Sequence, residues 1–269
     1  MISLDWKERL IRDCNDFLER KIPQGDFHFD IIYNAFPLRQ ENKIPRDVII
    51  FVSNTLGMKM VKKHKEYLPF CDFIWKYKGT NGRIAFSCII SKFLRKDYKF
   101  YFDYTRKYLK DCQDIVEINL LMDKIIFPII KKQPLENVET IVNWLKEDKE
   151  KINQALIRTI LKIGKENQDF LKRLIFRLEY RWLDASPEFV KTNGLLLKSL
   201  AKVDYEMYLD IYRSYKKTRE PIYVEILTLG LANYDDVLYE IYEIWNKSGN
   251  ARLKKSAVSG KKFLMKRKL

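Results

Sequence analysis

Sequence patterns in this chain recur at intervals of 31 to 36 residues, and this repetition constrains the fold more than any other feature. The pattern Leu-Ala-x-x-Asp-x-x-x-Tyr at 200–208 returns 31 residues later at 231–239. The dipeptide Leu-Lys at 161–162 returns 36 residues later, and segments 97–103 and 204–210 are similar at a separation near three such intervals. Repeats of this length are typical of stacked helix pairs. The chain is therefore predicted to be an all-α helical-repeat solenoid, a curved arc of antiparallel helix pairs.

An aspartate holds the same place in these patterns, at Asp97, Asp204 and Asp235. Each lies in a predicted connector, directly before the next helix. A carboxylate there can accept hydrogen bonds from the free N–H groups of the first helical turn. We therefore expect all three aspartates to cap helices.

The predicted organisation is a single HEAT-like repeat domain over residues 1–269. It comprises an N-terminal helical cap at 1–65, repeats at 66–260 and a basic tail at 261–269. Apolar residues at helical spacing predict helices at 4–20, 46–62 and 65–77, whereas three prolines break up residues 21–45. The sequence Lys-Gly-Thr-Asn-Gly at 78–82 predicts a turn.

The chain is strongly basic, with 51 lysines and arginines against 36 aspartates and glutamates, a net charge of +15. Such an excess favours a polyanionic partner, nucleic acid before an anionic membrane surface. A generally lysine-rich proteome would also explain it.

The basic residues are arranged in stripes when each helical position is placed at 100° per residue. Three predicted helices each place basic residues on one side: Arg158, Lys162 and Lys165; Lys191, Lys198 and Lys202; and Arg252 and Lys255. If these helices occupy equivalent places in successive repeats, the stripes would line one surface able to follow a phosphate backbone. The intervening segment 221–232 offers Glu225 and no basic residue. Solvated helix faces are the alternative explanation.

Several enzyme classes lack their motifs in this sequence. It contains no HExxH, GxGxxG, GxxxxGK[ST] or GxSxG, and its two histidines, His28 and His64, belong to no metal-ligand cluster. We therefore expect no cofactor and no metal, and not a zinc hydrolase, dinucleotide oxidoreductase, P-loop nucleotidase or serine esterase. Four cysteines without CxxC spacing are expected to be core residues, as are Trp144, Trp182 and Trp245 for the most part.

The N-terminal segment is charged throughout, and no apolar run is long enough to cross a bilayer. We expect a cytoplasmic protein, a monomer, without a membrane partner.

Three stretches of the chain resemble the HEAT-like DNA alkylation repair proteins, bacterial glycosylases that act on alkylated purines. The first is Phe-Ile-Trp at 73–75 with Asn-Gly-Arg-Ile-Ala at 81–85, which is similar to the family's Leu-Trp followed by Glu-x-Arg-x-Ala. The second, Asn-Gln-Ala-Leu-Ile-Arg-Thr-Ile at 153–160, is similar to Asn-x-Trp-Leu-Arg-Arg-Thr-Ala. The third, 189–198, is similar to Phe-Ile-x-Lys-Ala-Ile-Gly-Trp-Ala-Leu-Arg. The resemblance covers roughly residues 70–260.

This resemblance implies duplex DNA as the partner, held in the concave face of the arc. It places Arg158 on the family's conserved arginine and Asp123 on its catalytic aspartate. N-glycosidic cleavage of an alkylpurine builds positive charge on the sugar, which a nearby carboxylate stabilises. An arginine beside it can hold a phosphate bidentately.

The chain departs from the family pattern at its aromatic positions. Asn119 and Leu120 replace Trp-Trp before the aspartate, and Ala155 and Leu195 replace two further tryptophans. Ile157 replaces one arginine of a pair. Without aromatic walls, the cation–π contacts that favour a charged base are lost. The alternative is a non-catalytic HEAT-repeat scaffold that binds a protein or RNA partner.

Overall fold

The computed structural model describes residues 6–21, 44–112, 114–147 and 149–268, and all regular secondary structure within these ranges is helical. The helices of the first half are α1 (Trp6–Leu18), α2 (Arg46–Met60), α3 (Leu68–Tyr77), α4 (Gly79–Phe93), α5 (Tyr98–Asp111), α6 (Ile115–Leu121) and α7 (Phe127–Lys132). Those of the second half are α8 (Val138–Glu147), α9 (Glu150–Gly164), α10 (Gln168–Glu179), α11 (Pro187–Leu200), α12 (Tyr205–Ser214), α13 (Pro221–Leu229), α14 (Asp236–Asn246) and α15 (Ala251–Arg267). The predicted all-α class is confirmed for these residues.

The three repeat aspartates cap helices, as predicted. The Asp97 carboxylate accepts a hydrogen bond of 3.0 Å from the N–H of Phe100 at the start of α5. Asp204 accepts one of 3.0 Å from Met207 in α12, and Asp235 one of 2.8 Å from Val237 in α14. The repeated pattern therefore marks helix starts, because a side-chain acceptor at this position satisfies an otherwise unpaired donor.

The helix boundaries agree with the sequence prediction except at one turn. The predicted helix at 4–20 corresponds to α1, the one at 46–62 to α2, and the one at 65–77 to α3. A 3₁₀ turn at Val61–Lys63 directly follows α2. The proline-containing segment lies outside the described residues over 22–43. The predicted turn at 78–82 is wrong in its extent, because α4 already begins at Gly79 and only Lys78 separates the helices. Gly79 has a φ of 53°, which reverses the chain at little steric cost.

The chain divides into two compact units, Met1–Ile129 and Ile130–Leu269. In the first unit α4 is the central helix, in contact with α2, α3 and α6. Its own side chains are buried on every side of the helix, as expected of a helix enclosed by others: Ala85, Phe86, Cys88, Ile89 and Ile90. The boundary predicted between residues 65 and 66 lies inside this unit, and α2 and α4 pack together across it. The single-domain organisation stays a prediction.

Between α6 and α7 the first unit contains a π-helical segment, Met122–Ile126. Its widened turn ends with the N–H of Phe127 donating to the carbonyl of Met122, five residues back. Pro128 follows directly. A proline has no N–H to donate, and its ring clashes with the carbonyl four residues earlier, so the helix cannot pass it with regular α geometry.

The second unit contains a continuous series of packed helices. Helix α9 packs against α11, α11 against α13, and α13 against α15. A glycine permits one of these contacts, since a Cβ added at Gly194 of α11 would lie 2.5 Å from the Cβ of Leu229 on α13. The same holds in the opposite direction, since a Cβ added at Gly230 would lie 2.8 Å from the Cβ of Leu197 on α11. The helices of this series therefore approach more closely than larger residues would allow.

The cysteines and tryptophans lie where the sequence analysis expects them. Cys14, Cys71, Cys88 and Cys112 are all buried and free. Burial raises the pKa of each thiol, that of Cys14 to about 12, so none is a ready nucleophile. Trp144, Trp182 and Trp245 are at most 2% exposed and anchor helix packing. Within the described ranges, every helix is too short or too polar to span a bilayer.

Candidate functional site

A cleft of about 600 Å³ in the second unit brings together four of the predicted nucleic-acid-binding residues. Arg158 and Lys162 of α9 and Lys165 directly after it line one wall. Lys202, which follows α11, belongs to the other. These residues are 44 positions apart at the extremes, so the cleft is a product of the packing of α9 against α11.

The sequence of α9 dictates which of its side chains reach the cleft. Apolar residues occupy most of the helix and are buried, including Leu156, Ile160 and Ile163. The exposed side chains recur at intervals of three or four residues, which places them along one stripe of a helix. They are Gln154, Arg158, Lys162 and Lys165, preceded in the first turn by Lys151 and by Glu150, which accepts a hydrogen bond of 3.0 Å from Gln154. The predicted cationic stripe of this helix is therefore confirmed.

The charge of the cleft is entirely positive among its lining residues, since none of them is acidic. Lys165 and Lys202 form no ion pair with any described residue. Closely spaced cations repel one another, and an anion bound between them would relieve that repulsion. The uncharged polar side chains of the cleft, Gln154 and Ser199, supply hydrogen-bonding groups but no strong acid or base. This arrangement is suited to binding an anion.

The remaining lining residues of the cleft are aliphatic, and the sequence singled out two of them, Ile157 and Leu195, only as departures from the resembled family. Ile157, Leu161, Leu195 and Val203 complete the lining. Leu195 and Ile157 are two of the positions where the resembled family carries tryptophan and arginine. The helical spacing of 154, 157, 158, 161, 162 and 165 would have indicated Ile157 and Leu161, because these positions share one side of α9.

The second predicted stripe is only partly included in this cleft. Lys191 and Lys198 of α11 are exposed, but neither lines it. At 100° per residue Leu195 and Ser199 point toward the cleft, whereas Lys191 and Lys198 lie at the edge of that face. Of this stripe the structure brings only Lys202 together with Arg158, Lys162 and Lys165.

The third predicted cluster is occupied within the protein. Arg252 donates two hydrogen bonds to Glu225, from Nε at 2.6 Å and from an Nη at 2.8 Å. This bidentate contact with Glu225 raises the pKa of the Arg252 guanidinium above its ordinary value. Glu225, the acidic residue that interrupts the basic stripes in the sequence, is therefore the partner of Arg252. Lys255 is exposed and forms no ion pair with a described residue.

Asp123, the predicted catalytic residue, lies in the π-helical segment of the first unit with its side chain exposed. Asn119 and Leu120, one turn earlier on α6, are half-buried. π-Helical turns occur frequently at functional sites in proteins. The segment gives this aspartate a backbone setting unlike that of the other described acidic residues.

Many residues in the stretches that carry the family resemblance have packing roles. Asn153 is 3% exposed and donates to the carbonyl of Leu145 at 3.0 Å and to the hydroxyl of Thr192 at 3.2 Å. Asn193 accepts a hydrogen bond of 3.0 Å from the indole of Trp182. Arg158 differs from these residues in being exposed at a cleft.

Arg83, from the first of those stretches, lies in an ion pair of the first unit. Its guanidinium contacts the carboxylate of Glu117 and lies 5.3 Å from the ring centre of Trp75. Glu117 is buried, so the pair fixes α4 to α6 in a region of reduced solvent screening.

No group of three or more His, Cys, Asp or Glu side chains in the described part of the chain could hold a metal ion. His64 interacts through Nδ1 with the Tyr101 hydroxyl at 2.6 Å, and burial lowers its pKa. His28 lies outside the described residues.

Compared with protein-family models, curated proteins and solved structures, the chain matches none of them.

Proposed function

We propose that this chain is a HEAT-like helical-repeat protein that binds duplex DNA through the cleft between α9 and α11. The repeat architecture is supported by the series α9, α11, α13 and α15, in which each helix packs against the next. It is supported also by the capping aspartates, which recur at the repeat interval. Helix pairs stacked in this way would be the units of a solenoid.

The observation that carries DNA binding is the all-cationic lining of the cleft. Arg158, Lys162, Lys165 and Lys202 surround about 600 Å³ without an acidic neighbour in the lining. Closely spaced cations neutralise successive phosphates and release their condensed counterions. The resemblance to the DNA alkylation repair proteins favours a duplex over other polyanions.

Duplex binding can be tested by fluorescence anisotropy across a series of salt concentrations. We expect Lys165→Gln/Lys202→Gln to weaken binding and to reduce the slope of log K against log salt by about 2, roughly 1 for each lysine. The matched control is Lys146→Gln/Lys254→Gln, which removes two exposed lysines of the same unit outside the cleft lining. Equal slopes for the two double variants would reject this cleft as the interface.

The enzymatic part of the proposal concerns Asp123 and Arg158. In N-glycosidic hydrolysis of an alkylated purine, the carboxylate of Asp123 would stabilise the positive charge developing on the sugar. Arg158, in the second unit, would hold a backbone phosphate of the DNA. The exposed position of Asp123 on a π-helical turn supports this role.

Release of alkylated purine from methylated DNA tests the enzymatic part separately. We expect release by the intact protein, its loss in Asp123→Asn, and its retention in Asp103→Asn, which changes another exposed aspartate of the first unit. If the intact protein releases no base but still binds duplex DNA, the glycosylase part fails and the DNA-binding part stands.

The alternative is a non-catalytic scaffold for a protein or RNA partner. The observation that favours it is the aliphatic part of the cleft lining, where Leu195 and Ile157 offer no aromatic face to a charged base. Absence of duplex affinity at low salt, together with a stable complex with RNA or with a protein, would decide for the scaffold.

A further inference from the structure

A second cationic cavity lies in the second unit, where two connectors meet. It has a volume of about 550 Å³ and lies between the chain after α12 and the chain after α14. Its basic lining residues are Lys216, Lys217, Arg219 and Lys247. No sequence pattern indicates a role for any of them, because the two connectors are about thirty residues apart and neither forms a stripe on a helix.

The four cations of this cavity lie apart from the ion pairs of the described structure. None of the lining residues is a carboxylate. Lys216, Lys217, Arg219 and Lys247 form no ion pair with any described residue. Elsewhere in the same unit exposed basic residues do find carboxylates, as Arg252 does with Glu225. The cavity therefore concentrates positive charge, and of its four cations Lys247 has a carboxylate, Glu243, near enough to interact with it electrostatically.

Helix ends explain some of these cations but not all. Lys216 and Lys217 follow the C-terminus of α12, and Lys247 follows that of α14, where a cation interacts favourably with the helix dipole. Arg219 is different, since it precedes the N-terminus of α13 at Pro221. A positive charge beside a helix N-terminus is unfavourable. Glu220 at the N-cap supplies one negative charge there, and an anion bound in the cavity would add a second beside Arg219.

A buried hydrogen-bond donor at the cavity has no partner. The side chain of Trp245 lines the cavity and is 2% exposed. Its indole Nε1–H makes no hydrogen bond in the described structure. A buried N–H without an acceptor is unfavourable by an amount comparable to a hydrogen bond. An oxyanion offers acceptors in several directions and can meet the surrounding cations, and it would reach this donor after a side-chain movement that opens the indole nitrogen to the cavity.

We propose that this cavity binds a phosphate group, held by Lys217, Arg219 and Lys247 and by the indole N–H of Trp245. The site is separate from the cleft between α9 and α11 and does not depend on the function proposed for that cleft. Phosphate fits the donor set because its charge and its oxygen acceptors match a guanidinium, ammonium groups and an indole N–H. The group could be carried by a small ion or by the end of a nucleic acid strand, and the probes below distinguish these sources.

The test uses the full chain and three probes: inorganic phosphate, a short oligonucleotide with a 5′-phosphate, and the same oligonucleotide with a 5′-hydroxyl. Binding is measured by isothermal titration calorimetry. Tighter binding of the 5′-phosphorylated strand than of the hydroxyl strand identifies a strand end as the source. Binding of inorganic phosphate with no preference between the strands identifies a small phosphate ligand. No binding of inorganic phosphate and no preference between the strands overturns the proposal.

Two variants locate the binding to this cavity. We expect Lys217→Gln/Arg219→Gln to weaken phosphate binding at least tenfold, and Trp245→Phe, which removes the N–H but keeps an aromatic ring, to weaken it about tenfold. The control Arg173→Gln/Lys254→Gln removes equal charge at exposed positions outside the lining. Circular dichroism melting confirms that each variant is folded.

There is a competing explanation for the unpartnered indole N–H of Trp245. The side-chain oxygen of Asn246 also lacks a partner, and an ordered water could bond to both groups. In that case Trp245→Phe would leave phosphate affinity unchanged, and the role of the indole would be rejected. Equal weakening by the cavity and control double variants would reject the site as a whole. The Lys165→Gln/Lys202→Gln variant should bind phosphate normally, so failure of this site and failure of the duplex interface are distinguishable.

Discussion

Replacing Gly194 with alanine tests whether the close approach of α11 and α13 is required. A Cβ at this position would lie 2.5 Å from the Cβ of Leu229, 3.1 Å from its carbonyl carbon and 3.4 Å from the nitrogen of Gly230. Ordinary contacts between such atoms are near 3.5–4.0 Å. Two of these three neighbours are backbone atoms, which cannot turn away as a flexible side chain can. The helices must therefore separate.

Two opposing effects set the size of the change. Alanine in a helix interior is favoured over glycine by about 1 kcal/mol. Overpacking a well-filled core costs about 1–3 kcal/mol, and the backbone neighbours of Gly194 place it toward the upper end. The net destabilisation is about 1–2 kcal/mol, which for a chain of this size lowers Tm by about 2–8 °C.

The assay is urea or thermal unfolding followed by tryptophan fluorescence. Trp144, Trp182 and Trp245 all lie in the second unit and report on it. The control is Gly249→Ala, since a Cβ at Gly249 meets nothing within 4 Å and its φ is not positive. We expect that control to match the parent protein or to exceed it slightly, because alanine restricts the unfolded chain. A Gly194→Ala protein as stable as the parent would show that the two helices are not held by this contact.

Two further predictions concern acidic residues of the second unit. Burial raises the pKa of Glu179 from its ordinary value of 4.5 to about 7, although Tyr215 donates a hydrogen bond to it. The folded state then binds more protons than the unfolded state between about pH 4.5 and 7, so stability should fall as the pH rises through this window. Glu179→Gln should lose that part of the pH dependence in urea unfolding at several pH values, and an unchanged profile would contradict the assignment. Glu225→Gln should release Arg252 from its bidentate contact and tighten duplex binding in the anisotropy assay, whereas weaker or equal binding would exclude Arg252 from the interface.

The parts of the fold that could be predicted from the sequence are those encoded over short distances. A capping aspartate acts on a donor two or three residues away, so the positions of Asp97, Asp204 and Asp235 predicted helix starts directly. The stripe on α9 was equally predictable, because the apolar residues around Arg158 and Lys162 decide which side of that helix is buried.

The parts that could not be predicted depend on which helices meet. Nothing near Arg252 in the sequence indicates that Glu225, 27 residues earlier, would bind it. Lys217 and Lys247 come together only because the ends of α12 and α14 are neighbours, and Leu195 enters the cleft only because α11 packs on α9. Such pairings follow from tertiary contacts, and a sequence pattern alone cannot specify them.

The π-helical turn before Pro128 affects how this region tolerates insertions and deletions. A π turn holds one residue more than the α turn that it replaces, so it acts as a built-in single-residue insertion within a helix. Deleting one residue at Met122–Ile126 would remove that insertion and leave α6 with about the same face toward its neighbours, so Ile118 and Leu121 would stay buried. The cost of that deletion would be the clash of the Pro128 ring with the carbonyl four residues earlier. Adding a further residue would instead rotate α6 by about 100° relative to Phe127. This segment should therefore tolerate the loss of one residue better than the gain of one.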